Sequence, residues 1–162
     1  MIDKIEFRNA MGHFATGVTV VTVLDGQGGI GGLTANAFSS LSLDPPLVLI
    51  CVDTFSQARI FIESEKLFTI HFLADDQEKT AASFAQHGPN KADGVIWELS
   101  QQGIPRLTEY MVALECQLEN EFEGGDHTII VGKVLDISIH ESNRPPLTYY
   151  KGRINALVPK VD

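Results

Sequence analysis

The sequence predicts a mainly β protein, an antiparallel barrel that is closed or nearly closed, with a few helices beside it. At least six segments carry the β-branched or alternating apolar pattern that is typical of strands. Glycine-rich turns of the hairpin type separate several of these segments. No GxGxxG motif follows a strand and opens a helix, which disfavours a parallel sheet of the Rossmann type. Because the 162 residues contain no linker-like stretch, we expect one domain over residues 1–162.

The N-terminal part of the chain predicts a helix and then a hairpin. One face of the helix is apolar and carries Phe7, Ala10, Met11 and Phe14. Asp3 is placed to cap the start of this helix, and Gly17 is expected to end it. The β-branched run at 17–24 predicts a strand, the glycine-rich segment 25–29 a tight turn, and residues near 30–36 a second strand.

The middle of the chain predicts strands that alternate with short helices. Residues 47–53 are wholly apolar except at the end, which indicates a strand buried on both faces, and residues 67–73 predict another strand. Ser56 is expected to cap a helix over 57–63. A further helix is predicted with these features: a capping box formed by Asp75 and Glu78, a buried side made of Ala81, Phe84 and Ala85, and an end at Gly88.

The C-terminal third predicts a long antiparallel hairpin. Apolar and polar residues alternate over 112–119 and again over 129–139, where Lys133 interrupts the pattern. This period of two indicates strands with one buried face, so Glu115 is expected on the exposed side. Residues 124–126 form the predicted turn between the strands. The mixed segment 89–105 before them is expected to run over the surface.

Composition excludes several classes of function. Twelve Lys and Arg stand against 21 Asp and Glu, a formal charge of -9 that disfavours nucleic acid as a partner. The longest apolar run, residues 47–52, is too short to cross a membrane, and the N-terminus does not resemble a signal peptide. Cys51 and Cys116 are expected to be free buried thiols, and no spacing of ligands predicts a metal. We therefore expect a cytoplasmic protein without a metal ion.

Three segments carry side chains suited to an anionic or aromatic ligand. Residues 34–42 combine small residues with hydroxyls, which suits a phosphate, although a serine-rich turn has the same composition. His127 lies at the predicted hairpin turn, where a lone histidine is more often a surface residue than a functional one. Residues 148–153 combine two tyrosines with Lys151 and Arg153, which also describes an edge strand protected by charge.

Taken together, these segments resemble the flavin reductase family of split-barrel flavin-binding proteins. The resemblance follows the family's order along nearly the whole chain, through residues 7–8, 11–18, 32–47, 68–73 with Gln77, 103–105, 125–128 and 146–153. The segments 34–46 and 125–128 are specific in combination. The sequence departs from the family at Ala92, where an aromatic residue is usual, and at Arg106, where an aliphatic residue is usual.

The resemblance implies a Greek-key split β-barrel, a homodimer, and the following cofactor-binding residues. For the flavin these are Thr34, Ala35, Asn36, Ala37, Ser39 and Ser40, with Ser56, His71, Phe72 and Leu73 nearby. For the nicotinamide cofactor they are His127, Tyr149, Tyr150, Lys151, Gly152 and Arg153, with the region of Arg8 adjacent.

The resemblance also implies an activity that needs no catalytic side chain. NADH or NADPH would pass a hydride to FMN or FAD, and the protein would hold the two rings and stabilise the developing charge. The reduced flavin would then serve a partner monooxygenase. A flavin-binding module or an oxidase of the same fold remains the alternative, and a non-catalytic barrel that binds a protein is a third possibility. The sequence leaves open the choice between the two flavins and between the two nicotinamide cofactors.

Overall fold

The computed structural model describes residues 2–88, 91–140 and 144–156. The helices in these residues are α1 (Lys4–Met11), α2 (Gln57–Glu65) and α3 (Glu78–Ala85). The strands are β1 (Thr16–Gly17), β2 (Thr19–Leu24), β3 (Ile30–Ala35), β4 (Phe38–Leu43), β5 (Pro46–Asp53), β6 (Leu67–Phe72), β7 (Trp97–Leu99), β8 (Pro105–Leu107), β9 (Val112–Gly124), β10 (His127–Ile139), β11 (Leu147–Tyr150) and β12 (Arg153–Ala156). The predicted mainly β class is therefore confirmed.

Seven of these strands form one antiparallel sheet in the order β3-β2-β6-β9-β10-β5-β4. Its two edge strands, β3 and β4, are consecutive in the chain, and only Asn36 and Ala37 separate them. They do not pair with each other in the described part of the chain, so the sheet is not closed as a barrel. Ala37 bridges toward β5, because its carbonyl accepts a hydrogen bond from the Cys51 amide at 3.1 Å. Two smaller sheets, β1-β11-β12 and β7-β8, flank the main one.

The central strands of the sheet are buried on both faces. Val21 and Val23 of β2 belong to a core cluster with Ile50 and Phe68, whereas Val20 of the same strand packs on the opposite side in a second cluster. The second cluster includes Phe84 of α3 and so attaches this helix to the sheet. Because both faces are covered, the unbroken valine-rich run of β2 needs no polar residue facing solvent.

Two glycines let the helices approach β3 closely. A Cβ atom at Gly32 would lie 2.3 Å from the carbonyl oxygen of Val21 and 2.8 Å from the ring of Phe84. A Cβ at Gly31 would lie 2.6 Å from the ring of Phe61 on α2. Such distances are shorter than van der Waals contact, so only glycine fits without displacement. These contacts set how near α2 and α3 lie to the strand.

Helix α1 is shorter and more exposed than predicted. Asp3 caps it as expected, because its Oδ1 accepts hydrogen bonds from the amides of Ile5 and Glu6 at 2.9 and 3.0 Å. The helix ends at Met11, so the prediction that it continues to Gly17 is wrong. None of its residues is buried, and its apolar side faces outward in the single chain.

Of the two predicted caps in the middle of the chain, one is confirmed in position and the other is wrong. Ser56 occupies the N-cap position of α2, but its side chain makes no capping hydrogen bond. The N-cap of α3 is Gln77, not Asp75, and its side chain is used elsewhere. Its Oε1 accepts from the Ala74 amide at 2.9 Å and its Nε2 donates to the Glu109 carbonyl at 2.8 Å. Gln77 thus holds the β6–α3 connection against the segment before β9.

Helix ends differ from the prediction as well. Helix α2 extends to Glu65, two residues beyond its predicted end, and α3 ends at Ala85, three residues before Gly88. Ala85 is exposed rather than buried. Residues 86–88, which follow the helix, line a cleft described below.

The burial of the long strands also differs from the prediction: β5 is buried on one face rather than on both, and β10 alternates only in part. One face of β5 is buried, whereas Leu47, Leu49 and Cys51 on the other are half-buried. In β10, Ile137 and Ile139 are more than half exposed, because the paired ends of β9 and β10 extend past the core. Two irregularities in the β9–β10 register, at 131/132 and 134/136, shift which residues face inward.

The predicted surface segment is partly ordered by the core. Its first residue, Pro89, lies outside the described residues. Further along, β7 and β8 pair as a small hairpin. Ala92, Val95 and Trp97 pack against the second core cluster, so the segment is attached to the molecule through three apolar side chains.

Candidate functional site

A cleft of about 650 Å³ lies at one end of the main sheet. Four parts of the fold border it: the end of β3 with the link to β4, the end of β5, the start of α2 and the end of α3. The lining residues are Leu33, Thr34, Ala35, Asn36, Ala37, Cys51, Val52, Asp53, Phe55, Ser56, Gln57, Phe84, Ala85, Gln86, His87, Gly88, Lys91 and His127. Its volume falls within the roughly 300–1,000 Å³ range of small-molecule sites.

Six residues predicted from the sequence line this cleft. They are Thr34, Ala35, Asn36, Ala37, Ser56 and His127. The Thr34 hydroxyl donates to the carbonyl of Ala81 at 2.6 Å and ties β3 to α3. Ser56 has no capping bond, so its hydroxyl is available at the cleft surface. The fold therefore brings together side chains from three segments that are distant in sequence.

His127 stands at the mouth of the cleft with its ring held by its neighbour. Its Nδ1 lies 2.7 Å from Oδ1 of Asp126, and this contact lowers the pKa of the Asp126 carboxyl. The turn that carries both residues is fixed to β5, because the Thr54 amide donates to the Asp126 carbonyl at 3.1 Å. With Nδ1 engaged by the carboxylate, Nε2 is the ring nitrogen left for a ligand.

Lys91 lines the cleft and was not predicted as a site residue. Among the described residues that line the cleft, it contributes the only lysine or arginine side chain. Its Nζ donates to the Gly32 carbonyl at 3.3 Å, and burial lowers its pKa. A half-buried ammonium without a carboxylate partner attracts an anion. Lys91 is the only lysine or arginine between residues 80 and 105, but one isolated lysine has no spacing that would mark it as a site residue.

Other predicted residues lie away from the cleft lining. Ser39 and Ser40 are exposed on β4, where the Ser39 hydroxyl donates to the Ser40 carbonyl at 2.9 Å. Phe72 is half-buried and meets the ring of Phe38 edge-on, with ring centroids 5.0 Å apart. Leu73 is fully buried in the second core cluster. A contact of these residues with a cofactor stays a prediction.

His71 is buried and fully bonded. Its Nδ1 lies 3.0 Å from the Val20 carbonyl, and its Nε2 accepts a hydrogen bond from the Leu107 amide at 3.0 Å. Burial lowers its pKa to about 4, so the ring is neutral at pH 7. With both nitrogens occupied, its observed role is to join β2, β6 and β8.

The predicted segment 149–153 lies in the β11–β12 hairpin, whose residues do not line the cleft. This hairpin meets the end of α1, because the Lys151 amide donates to the Gly12 carbonyl at 2.7 Å. The ammonium of Lys151 lies 5.4 Å from the centre of the Tyr150 ring. The expected nicotinamide contacts of Tyr149, Tyr150, Lys151, Gly152 and Arg153 stay predictions.

Arg106, one of the two departures from the family pattern, has a structural partner. Its guanidinium donates to Glu98 at 2.7 Å and to the Ser138 hydroxyl at 3.1 Å, and lies 3.7 Å from Glu115. Glu115 is buried, contrary to the prediction from strand alternation, and its other oxygen accepts from Ser100 at 2.9 Å. The arginine compensates a carboxylate that would otherwise be buried without a counter-charge.

The described part of the chain contains neither a cluster of metal ligands nor a helix suited to a membrane. No group of three or more potential ligands is close enough to hold a metal ion there, and no described helix is long and apolar enough to cross a membrane. Cys51 and Cys116 are both free, and burial raises the pKa of Cys116 to about 12.

Comparison with known proteins gives this fold a family. The sequence profile described as "Flavin reductase like domain" matches residues 11–157. The chain belongs to the flavin reductase family. The family predicted from the sequence motifs is therefore confirmed, and the cleft described above is the candidate site of a member of this family.

Individual flavin reductases resemble the chain over nearly its full length. It is 37% identical over 158 residues to the reductase subunit HsaB of a flavin-dependent monooxygenase from Rhodococcus jostii, which covers 98% of this chain and 80% of the relative. It is 38% identical to an NADH-dependent FAD reductase of Streptomyces globisporus, with coverage of 99% and 89%. A solved NADH:FAD oxidoreductase of Streptomyces globisporus, in complex with NAD and FAD fragments, superposes with a TM-score of 0.90 at 37% identity, covering 99% of this chain and 96% of that one.

Proposed function

We propose that this chain is an NAD(P)H-dependent flavin reductase that passes a hydride from the nicotinamide cofactor to FMN or FAD. The observation that carries this proposal is the cleft, where residues 34–37, Ser56, Lys91 and His127 meet. The relatives named above, which include a reductase subunit of a monooxygenase, support the same reaction class. By this likeness we extend the proposal to a flavin-dependent monooxygenase that receives the reduced flavin.

The cleft fits a flavin nucleotide in the chemistry of its lining. A flavin combines a flat ring with a phosphate tail, and the cleft offers apolar surface from Leu33, Cys51 and Ala85 together with polar groups. The half-buried ammonium of Lys91 and the hydroxyl of Ser56, which makes no capping hydrogen bond, are groups that can bind the phosphate. Small residues at 35 and 37 let the chain's backbone come close to the ring.

The protein's part in the reaction is to bind, orient and exclude water. Flavin and nicotinamide together supply the hydride chemistry, so no acid or base from the chain is required. The end of β3 and the start of α2 would hold the flavin against the sheet, and Lys91 would neutralise its tail. His127, whose ring is fixed by Asp126, would contact the nicotinamide cofactor through Nε2 and so set its orientation.

We further propose a homodimer. The exposed apolar side of α1, with Ile5 and Phe7, and the exposed end of β10, with Ile137 and Ile139, are the surfaces a second copy would cover. A dimer also offers a way for residues remote from the cleft in one chain, such as Ser39 on β4, to reach a cofactor held by the other. Free thiols agree with placement in the reducing cytoplasm.

One assay tests the reaction and separates it from the alternatives. Purified protein is mixed with FMN or FAD and with NADH or NADPH, and the absorbance of the reduced nicotinamide is followed. Rapid oxidation with at least one pair is expected. Bound yellow flavin without oxidation would indicate a binding module or oxidase instead, and neither binding nor oxidation would indicate a non-catalytic barrel.

A further inference from the structure

A phenylalanine on the rim of the cleft has no part in the function proposed so far. Phe55 lies between β5 and α2, beside Asp53 and Ser56, and lines the cleft. Its side chain is 90% exposed. Within the described residues it belongs to neither core cluster. A large aromatic side chain in this position contributes little to the stability of the single chain.

Hydrogen bonds hold the backbone around Phe55, so the loop that carries the ring has a defined place at the rim. The Phe55 amide donates to Oδ1 of Asp53 at 2.8 Å, and the Ser56 amide donates to the Asp53 carbonyl at 3.0 Å. The preceding amide, of Thr54, donates to the Asp126 carbonyl at 3.1 Å and joins the loop to the turn that carries His127. A ligand therefore meets the ring without first ordering the loop.

The neighbours of the ring indicate which ligand would use it. A flat apolar face stands next to the free hydroxyl of Ser56, on the rim of a cleft that contains the cation Lys91. This combination matches a nucleotide, which has a planar base linked to a phosphate. The two reacting rings need the shielded interior of the cleft, because hydride transfer requires close, dry contact. An unreactive base can stay at the exposed rim.

We propose that Phe55 stacks on the adenine of a bound dinucleotide and thereby determines preference for a dinucleotide over a mononucleotide. This inference rests on the proposed function, because the adenine belongs either to FAD or to the reduced nicotinamide dinucleotide. Stacking of a base on an aromatic side chain changes affinity by about 5- to 150-fold. An exposed ring at the rim should lie in the lower part of this range, at about 5- to 20-fold.

The test compares each dinucleotide with its adenine-free counterpart. KM and Kd are measured for FAD against FMN, and for NADH against reduced nicotinamide mononucleotide, in the parent and in Phe55→Ala. In Phe55→Ala, the Kd or KM for FAD divided by that for FMN, or the value for NADH divided by that for the mononucleotide, should rise about 5- to 20-fold. The ratio that rises shows which dinucleotide places its adenine on Phe55. Phe55→Trp should restore the parent ratio, whereas Phe55→Leu should not. Phe122→Ala, which removes an exposed ring outside the cleft, is the matched control.

Three results would overturn the inference. Both ratios could stay at the parent value, or Phe55→Leu could restore them as well as Phe55→Trp does. The third is a loss of the dimer in Phe55→Ala, measured by sedimentation, because the ring would then contact a second copy. Failure of the proposed function looks different, since the parent itself would then reduce no flavin with any nicotinamide.

Discussion

Replacing Lys91 by methionine tests whether the flavin phosphate lies in the cleft. The substitution keeps an unbranched apolar stem and removes the ammonium whose Nζ donates to the Gly32 carbonyl at 3.3 Å. A hydrogen bond to a charged group contributes about 1.5–3 kcal/mol. Because Lys91 is only half-buried, solvent screening favours the lower end, about 1.5–2 kcal/mol, which corresponds to a rise of about 10- to 30-fold in the flavin Kd.

The assay is flavin binding followed by the change in flavin fluorescence, at two or more salt concentrations and across pH. Salt should weaken binding to the parent more than binding to Lys91→Met, because the ionic contact is screened. Burial lowers the pKa of Lys91, so its ammonium loses the proton at a lower pH than an exposed lysine does. The parent should therefore lose flavin affinity when the pH rises into that range. The variant should lack this alkaline loss.

Lys79→Met is the matched control, because it removes the same charge from an exposed position on α3 that does not line the cleft. Its flavin Kd should stay within about twofold of the parent. A Lys91→Met protein that binds flavin as the parent does would show that the phosphate does not contact Lys91. An equal loss of affinity in both variants would indicate an effect of net charge alone.

Three other substitutions test separate parts of the molecule. His127→Ala should raise the nicotinamide KM about 2- to 10-fold and more than the flavin KM, and steady-state kinetics showing the reverse order would remove its proposed role. For His71, the folded pKa of about 4 lies below the unfolded value, so the unfolded state binds the proton first and stability falls by up to about 3 kcal/mol as pH drops from 6.5 toward 4. In His71→Gln, urea denaturation across this pH range should show most of that dependence gone; an unaltered dependence would contradict the assignment. Gly32→Ala should destabilise by about 1–3 kcal/mol in the same denaturation assay, while Gly17→Ala, where a Cβ meets nothing within 4 Å, should not; equal midpoints would show that β3 adjusts freely.

The strands were predictable because their signals are local. The hairpin formed by β2 and β3 and the turn between β9 and β10 follow from β-branched runs and glycine turns, and the structure confirms both. The helix caps were not predictable in the same way. Gln77 replaces the expected capping box because its amide bonds to Ala74 and to the distant Glu109, a contact that no local spacing reveals.

The candidate site was predictable in part. The motif at 34–37 and His127 were recognised and do line one cleft. Lys91 was missed because a single lysine carries no pattern, and its significance depends on burial against Gly32. The burial of Glu115 was not predictable from strand alternation, because alternation gives only the two faces of a strand. It does not show that Arg106 of β8 lies beside Glu115 and supplies a counter-charge.

Gly32 does not line the cleft, yet the absence of a side chain at this position determines how close one wall of the cleft lies to the sheet. With hydrogen alone at this position, the ring of Phe84 rests directly on the strand, and the wall that α3 contributes stands at its nearest approach. A larger side chain at position 32 would displace the Phe84 ring and move α3 away from β3. Substitutions at position 32 are therefore a way to change the width of the cleft, and with it the choice of substrate, without altering any side chain that lines the cleft.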